Sequence, residues 1–339
     1  MTAKINKVSR NHGLDLLRGI CILGVIWHHT CMYSGGDFVP DFMKQLSFLL
    51  EAPALFFVSG LTYKYVNRDI LIGNLMKLAF SFTLIALILN SLFGVVTLPS
   101  VFEPLLNLGL HVPTLFYVLD SSYWFVPVYA LVLIAATIIL KKMHNIYPLI
   151  MAVCLGMYVI PDSLFSISSL SICFLHTWGP GIFFLLGFFL FGYWYLDCEK
   201  LYKYRYQLAL IVLLAGVFLY SLCYIQYGTN VLDLEYYKTL KSLPYISASF
   251  LSIAFLIAIY TPELKNRFIE RIGSCSIFYY IAQGISSSFL LFIEPHISIC
   301  WPIKLVLLFI VNLLFAAVCA EIYIKIYTGI GILCRKIIK

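Results

Sequence analysis

Among the ionisable side chains inside apolar runs, three could do chemistry together: Arg18 and His29 in the first run, and Glu51 in the second. Ionisable groups in such surroundings are costly and by default mark function. An imidazole, with an unperturbed pKa of about 6.5, can take a proton from a weak nucleophile near neutrality. It can also carry an acyl group as an acyl-imidazole. Arg18 and His29 are eleven residues apart, which at about 100° per residue puts both on one helix face, roughly 16 Å apart along the axis. Asp15 lies one turn before Arg18 and can pair with it. Taken alone, Arg18 also reads as an interfacial arginine, and His29 as a core histidine bonded to a neighbouring helix. Their shared face favours a joint role. Glu51 sits at a depth similar to His29, where a hydrogen bond would satisfy the carboxylate and fix the imidazole tautomer. The alternative puts Glu51 at the wet edge of a vestibule. His28 points roughly 100° away from His29, so the two should not serve one centre equally. His176 and His296 fall in outer loops and read as solvated or interface residues. There is no HExxH and no paired-cysteine spacing, so no metal site is expected.

The elements that must hold these groups are membrane spans. Of 339 residues, 62% are hydrophobic and 12% charged, against about 25% charged in soluble domains. A helix needs roughly 20 mostly apolar residues to cross the hydrocarbon. Apolar runs between charged or Pro/Gly breaks predict about ten spans: 15–33, 46–63, 76–98, 122–140, 146–160, 179–196, 208–226, 244–261, 274–293 and 302–327. The fifth is short, and the Ser-rich run 163–175 is assigned to an outer loop. Pro53 should break the second span just below Glu51 and open a cavity there. With the N-terminus cytoplasmic, 19 of the 23 Lys and Arg residues fall on the inner side, leaving Lys44, Lys238, Lys241 and Lys304 outside. That bias follows the positive-inside rule and puts both termini in the cytoplasm. Trp124, Trp178, Trp194 and Trp301 fall at span ends, as an aromatic belt requires.

The expected fold class is therefore all-α, a polytopic transmembrane bundle, with 1–339 as a single integral-membrane domain. The charged N-terminal stretch precedes an apolar run without a small-residue cleavage site, so it does not read as a cleaved signal peptide. The net charge of +7 reflects cytoplasmic loops rather than a nucleic-acid partner. Cysteines such as Cys21, Cys154, Cys223 and Cys319 lie within apolar runs and read as packing residues. Outer segments 99–121, 161–178 and 227–243 are aromatic and neutral to acidic, suited to an extracytoplasmic vestibule. No two halves carry matching interrupted helices, which weighs against a transporter built on repeats.

The residues resemble a known family, the membrane-bound acyltransferase-3 proteins, which include bacterial polysaccharide O-acetyltransferases. Asp15, Leu17, Arg18, Gly19 and His29 match its opening Asp-x-Leu-Arg-Gly pattern with a following His. Pro53-Ala54-Leu55-Phe56-Phe57-Val58-Ser59-Gly60 is similar to its Pro-x-Phe-Phe-Phe-x-Ser-Gly segment. Tyr123-Trp124-Phe125-Val126 resembles its Trp-Phe-Leu start of a middle span, and Phe183 to Gly187 a later Phe-x-x-x-Gly. Gly273, Ser276 and Tyr280 fit a Gly-x-x-Ser-x-x-x-Tyr-x-x-His pattern, with Gln283 in place of the final His. Asn74 and Lys77 replace an Arg-x-x-Arg pair entering span three, and Glu51 stands where many relatives have a histidine.

The resemblance implies a multi-pass protein of the bacterial cytoplasmic membrane. It implies transfer of an acetyl group from cytoplasmic acetyl-CoA, as co-substrate, to a hydroxyl of an extracytoplasmic glycan or lipid-linked sugar. On that reading His29 and Glu51 are catalytic, Arg18, Asp15, Tyr123 and Trp124 bind donor or substrate, and the bilayer, the acyl-CoA and the sugar acceptor are the partners. The rival reading is a transporter or flippase in which Arg18, His29 and Glu51 form a polar relay.

Overall fold

A computed structural model of the chain describes residues 11–35, 38–65, 71–106, 108–156, 173–229, 234 and 243–337. Among these residues every regular element is helical. In chain order they are α1 (His12–Tyr33), α2 (Asp41–Ser47), α3 (Ala52–Tyr63), α4 (Leu71–Leu92), α5 (Leu98–Leu105), α6 (Tyr117–Ser122), α7 (Phe125–Lys142) and α8 (Tyr147–Gly156). They continue as α9 (Cys173–Asp197), α10 (Glu199–Lys203), α11 (Arg205–Tyr227), α12 (Leu243–Ile259), α13 (Arg267–Ser274), α14 (Ser276–Ser288), α15 (Leu290–Ile293) and α16 (Trp301–Ile337). Among the described residues, six helical stretches are long and apolar enough to cross a membrane. They are Asp41–Tyr63, Leu75–Leu92, Thr114–Lys142, Arg205–Tyr227, Ser276–His296 and Trp301–Leu333. Shorter apolar helices cover Tyr147–Gly156, Ile182–Asp197 and Leu243–Ile259. The fold is an all-α polytopic bundle.

α1 has the length of a span, but Asp15, Arg18, His28 and His29 dilute its apolar character. Its start is fixed by Asn11, whose side chain accepts from Leu14 N at 3.2 Å and satisfies a donor that the first helical turn leaves free. The helix is drawn against its neighbours by glycines. A Cβ on Gly273 of α13 would stand 1.7 Å from Asp15 O, and one on Gly19 would stand 2.2 Å from Ile269 O. α3 and α9 cross the same way. Gly60 faces Phe189 O and Gly192 faces Phe57 O, at 1.9 and 2.0 Å for a placed Cβ. In hydrocarbon no hydrophobic driving force gathers helices, so backbone approach through small residues supplies the contact.

The second predicted span is built differently from a helix bent by proline. α2 ends at Ser47, a 3-10 turn covers Phe48–Leu50, and Glu51 is non-helical at φ −106°, ψ −147°. α3 then starts at Ala52, with Pro53 in its first turn. A proline there costs nothing, because the N–H it lacks would have no intrahelical partner. The break thus falls on Glu51 itself, and Pro53 starts the new helix.

Other expectations move as well. The fifth predicted span appears as the ten-residue α8, and 157–160 lie outside the described residues. The run 163–175 also lies outside them up to residue 172, but α9 begins at Cys173. His176 and Trp178 therefore belong to a helix and not to an outer loop. Most of 227–243, including Lys238 and Lys241, and the basic residues Lys4, Lys7, Arg10 and Arg68 lie outside the described residues. Lys304, counted on the outer side, is buried in an ion pair with Glu294 at 2.5 Å. One hydrophobic cluster runs from Leu14 to Tyr323 and holds α1, α3, α7, α9, α12, α14 and α16 together.

Candidate active site

α1 carries His28, His29 and Tyr33 to one wall of a narrow cavity of about 40 Å³. The break between α2 and α3 brings Glu51 to a second wall. The α6–α7 junction adds Ser122 and Trp124, and α14 adds Tyr280. Its size suits one or two waters or a small reacting group, not a whole sugar. His28, His29 and Glu51 are only 3%, 7% and 6% exposed, so each polar atom needs a defined partner.

The histidine closest to Glu51 by ion-pair geometry is His28. Its Nε2 lies 3.7 Å from Glu51 Oε1. On the other side of the ring, Nδ1 lies 2.9 Å from Ser47 Oγ. That hydroxyl donates its proton to Lys44 O at 2.5 Å, so toward His28 it can only accept. His28 Nδ1 therefore carries a hydrogen, and Nε2 is left to exchange a proton with Glu51. The carboxylate is also held by the Tyr245 hydroxyl, which donates to Oε2 at 3.2 Å. The His28 ring packs 4.5 Å from Phe48 and 5.5 Å from the His29 ring, between centroids.

His29 faces the same cavity, edge-on to the Tyr33 ring at 5.2 Å. His28 and His29 were not expected to serve one centre equally, and they meet the cavity differently: His28 faces Glu51 and Ser47, and His29 faces Tyr33. A helix turns successive side chains about 100° apart, yet both rings reach the lining of this narrow cavity. Directly after His29, Thr30 accepts from Asn312 Nδ2 at 3.0 Å. Asn312 also donates to Ser287 at 3.0 Å and accepts from Ser286 at 2.5 Å. All four residues are fully buried, and their bonds lock α1, α14 and α16 at the depth of His29.

Tyr280 donates to Ser122 O at 2.9 Å and stacks at 5.0 Å with Phe125, closing the cavity beside Trp124. Trp124 thus reaches the site. Tyr123 does not: it is buried against Phe82, and its hydroxyl donates to Pro104 O at 3.3 Å. Arg18 and Asp15 pair at 3.7 Å, with side-chain exposures of 32% and 11%, and neither lines the cavity. Gln283 is fully buried on α14, one turn beyond Tyr280. Among the described residues no three His, Cys, Asp or Glu side chains gather as a metal site would need.

The family model described as an acyltransferase domain matches residues 11–321, nearly the whole chain. The chain belongs to the acyltransferase-3 family. No curated protein and no solved structure matches it. The matched region spans α1, with Arg18 and His29, through most of α16. The protein is thus a membrane acyltransferase, and His28, His29 and Glu51 form a buried cluster of titratable side chains around one cavity of its acyltransferase-3 domain. Tyr33, Ser47 and Tyr245 escaped the sequence reading. Tyr33 alone carried a signal, being four residues beyond His29 and hence on its face.

Proposed function

We propose that this acyltransferase moves an acetyl group from cytoplasmic acetyl-CoA to a hydroxyl of an extracytoplasmic glycan or lipid-linked sugar, in the cytoplasmic membrane of a bacterium. The observation that carries the proposal is the burial of two histidines and one carboxylate around a single cavity within a family of acyltransferases. His29 takes the proton of the sugar hydroxyl as its oxygen bonds to the acetyl carbon. The carbon–sulfur bond breaks, and the proton passes to the departing CoA thiolate. In the two-step form, His29 attacks the thioester and the CoA thiolate leaves as the carbon–sulfur bond breaks. The sugar hydroxyl then attacks the acetyl carbon, the carbon–nitrogen bond breaks, and the hydroxyl proton goes to the freed ring nitrogen. His28 and Glu51 share a proton beside it and supply or absorb charge as the reaction proceeds. Arg18, near the cytoplasmic end of α1, is suited to a phosphate of the donor.

The proposed topology has ten crossings with both termini cytoplasmic. It brings the donor from inside and the acceptor from outside, meeting near His29. The transporter reading has no observation of its own in its favour.

The test supplies labelled acetyl-CoA to inverted membrane vesicles that hold wild type or His29→Ala. The expected result is acetylated glycan with wild type and a loss of about 10²- to 10⁴-fold with the variant. Equal labelling with the variant would remove His29 from the chemistry.

A further inference from the structure

Four residues with hydroxyls line the cavity among the described residues: Tyr33, Ser121, Ser122 and Tyr280. Three of these hydroxyls spend their protons on the backbone. Ser121 and Ser122 donate to Val118 O at 3.2 and 2.5 Å, and Tyr280 donates to Ser122 O at 2.9 Å. The Nδ1 proton of His28 is committed in the same way, to Ser47. Tyr33 is the exception. Among the described residues its hydroxyl has no hydrogen-bond partner, and the atom is not sealed inside the protein as the unpartnered hydroxyl of Tyr195 is. The rest of the residue is held. Its carbonyl accepts from the Tyr117 hydroxyl at 3.3 Å, its ring meets the Tyr117 ring at 5.9 Å, and it stands edge-on to His29 at 5.2 Å. Tyr33 therefore presents an uncommitted O–H donor on an anchored ring.

The helix sets where that donor stands. Tyr33 is four residues beyond His29, one turn further along the same face of α1 and roughly 6 Å on. The Tyr280 hydroxyl, on α14, lies within electrostatic reach of both Tyr33 and Glu51, which keeps the Tyr33 phenol on the cavity side. Acyl transfer at His29 calls for a group of this kind. As a nucleophile bonds to the acyl carbon, the carbonyl oxygen takes up negative charge, and a preorganised donor aimed at that oxygen is usually the largest single contribution to catalysis. We propose that Tyr33 is a catalytic residue whose hydroxyl donates a hydrogen bond to the acyl oxygen while His29 acts at the acyl carbon. The phenol keeps its proton throughout. The carbonyl π pair moves onto oxygen as the new bond forms, is held there by the Tyr33 hydrogen bond, and returns when the leaving group departs. Both halves of the two-step form pass through such an oxyanion, so one donor serves each. The inference rests on the acyl-transfer reading above and adds the oxyanion donor that it lacks, whichever acyl group and acceptor are used.

The experiment uses the full chain in inverted membrane vesicles, with labelled acetyl-, propionyl- and succinyl-CoA offered in turn. Tyr33→Phe keeps the ring and its edge-on contact with His29 and removes only the unbonded hydroxyl. The expected result is a fall in kcat of about 10²- to 10³-fold. KM for the acyl-CoA should stay within about twofold of wild type, and the melting temperature should not change. A second measurement places 3-fluorotyrosine and 3,5-difluorotyrosine at position 33, at a pH where each phenol is protonated. Fluorine strengthens the hydroxyl as a donor, so kcat should change progressively along the series. A kcat of Tyr33→Phe within about twofold of wild type overturns the proposal. So does a loss in Tyr33→Phe with a flat fluorotyrosine series, because the hydroxyl then acts by its size or as a wetted rim group. Should Tyr33→Phe fail to fold, the fluorotyrosine series alone decides. Wild type is scored separately. If it turns over none of the three thioesters, the acyl-CoA reading has failed and the role of Tyr33 falls with it, whereas an active wild type with an indifferent position 33 fails the tyrosine alone.

Discussion

Ser47 and His28 form a hydrogen bond whose direction is fixed by a third group. Because the Ser47 hydroxyl gives its proton to Lys44 O, it receives one from His28 Nδ1, at 2.9 Å. The ring is thereby held in one tautomer, with Nε2 turned to Glu51. Ser47→Ala removes the acceptor and leaves Nδ1–H buried without it, at a cost of about 1–3 kcal/mol in the oriented state. The acyl-transfer rate should fall about tenfold, and Ser47→Thr, which keeps a hydroxyl, should restore most of it. Transfer assays on the three proteins at matched membrane levels check this. An unchanged rate in Ser47→Ala would separate His28 orientation from catalysis.

Glu51→Gln keeps the size of the side chain and an oxygen for the Tyr245 hydroxyl, but it cannot pair with a charged His28. If the carboxylate shares a proton with His28 during turnover, the rate should drop by about 10²- to 10⁴-fold and its dependence on pH should flatten. The measurement is the pH–rate profile of wild type and variant in proteoliposomes. A profile of the same shape with a rate within about twofold of wild type would make Glu51 a packing residue and no more.

How much of this site could be seen in the sequence follows from which relationships lie within one helix and which cross the break in the second span. The shared face of Arg18 and His29 needed only the helical repeat, and their separation along α1 keeps Arg18 out of the cavity. Glu51 was placed at the right depth by counting inward. Its partner was not legible, because Glu51 is not in a helix at all. A non-helical residue between a 3-10 turn and a helix starting with Ala52-Pro53 can approach α1 from the side, and from there its carboxylate lies 3.7 Å from His28 Nε2. The wheel argument that set His28 aside concerned α1 alone and carried no information on which side Glu51 would approach. The helices themselves were legible as apolar runs, and Gly60 was legible as a motif but not as the site where α9 touches α3. Only the reciprocal approaches of Gly60 to Phe189 O and of Gly192 to Phe57 O show how little room either position has for a side chain.

That contact gives a prediction about assembly. Gly60→Val puts a branched side chain where the Phe189 carbonyl already lies within 1.9 Å of a placed Cβ. The backbones must separate, which overpacks the α3–α9 seam and costs about 1–3 kcal/mol or more. The yield of folded protein in detergent and the melting temperature should both fall, with Gly60→Ala intermediate. Thermal unfolding followed by size-exclusion recovery reads this out. A variant as stable as wild type would show that the two helices do not cross at Gly60.

The sidedness of the reaction depends on topology, so it admits a test independent of activity. A reporter fused after Lys142, at the basic end of α7, should behave as cytoplasmic, and one after Gly228, just beyond α11, as external. Exchanged signals would put the donor and acceptor on the wrong sides of His29.

Asn312 carries the last prediction. It is the hub that joins Thr30 of α1 to Ser286 and Ser287 of α14, and every partner is fully buried. Asn312→Leu has nearly the same volume but withdraws one acceptor and two donated bonds. Ser286 then loses the acceptor of its shortest bond, while Thr30 and Ser287 lose donors. A loss of about 1–3 kcal/mol is expected, and more if the network is cooperative. Because Thr30 is next to His29, the loosened turn should also misplace the imidazole. Transfer should therefore fall by more than the loss of folded protein explains, and, on the proposal that Arg18 binds acetyl-CoA, with an unchanged KM for that donor, since Arg18 lies about 16 Å away along the helix. Kinetics normalised to folded protein, alongside the melting temperature, separate the two effects. A fall in stability with full activity per folded molecule would show that the network holds the bundle together without positioning His29.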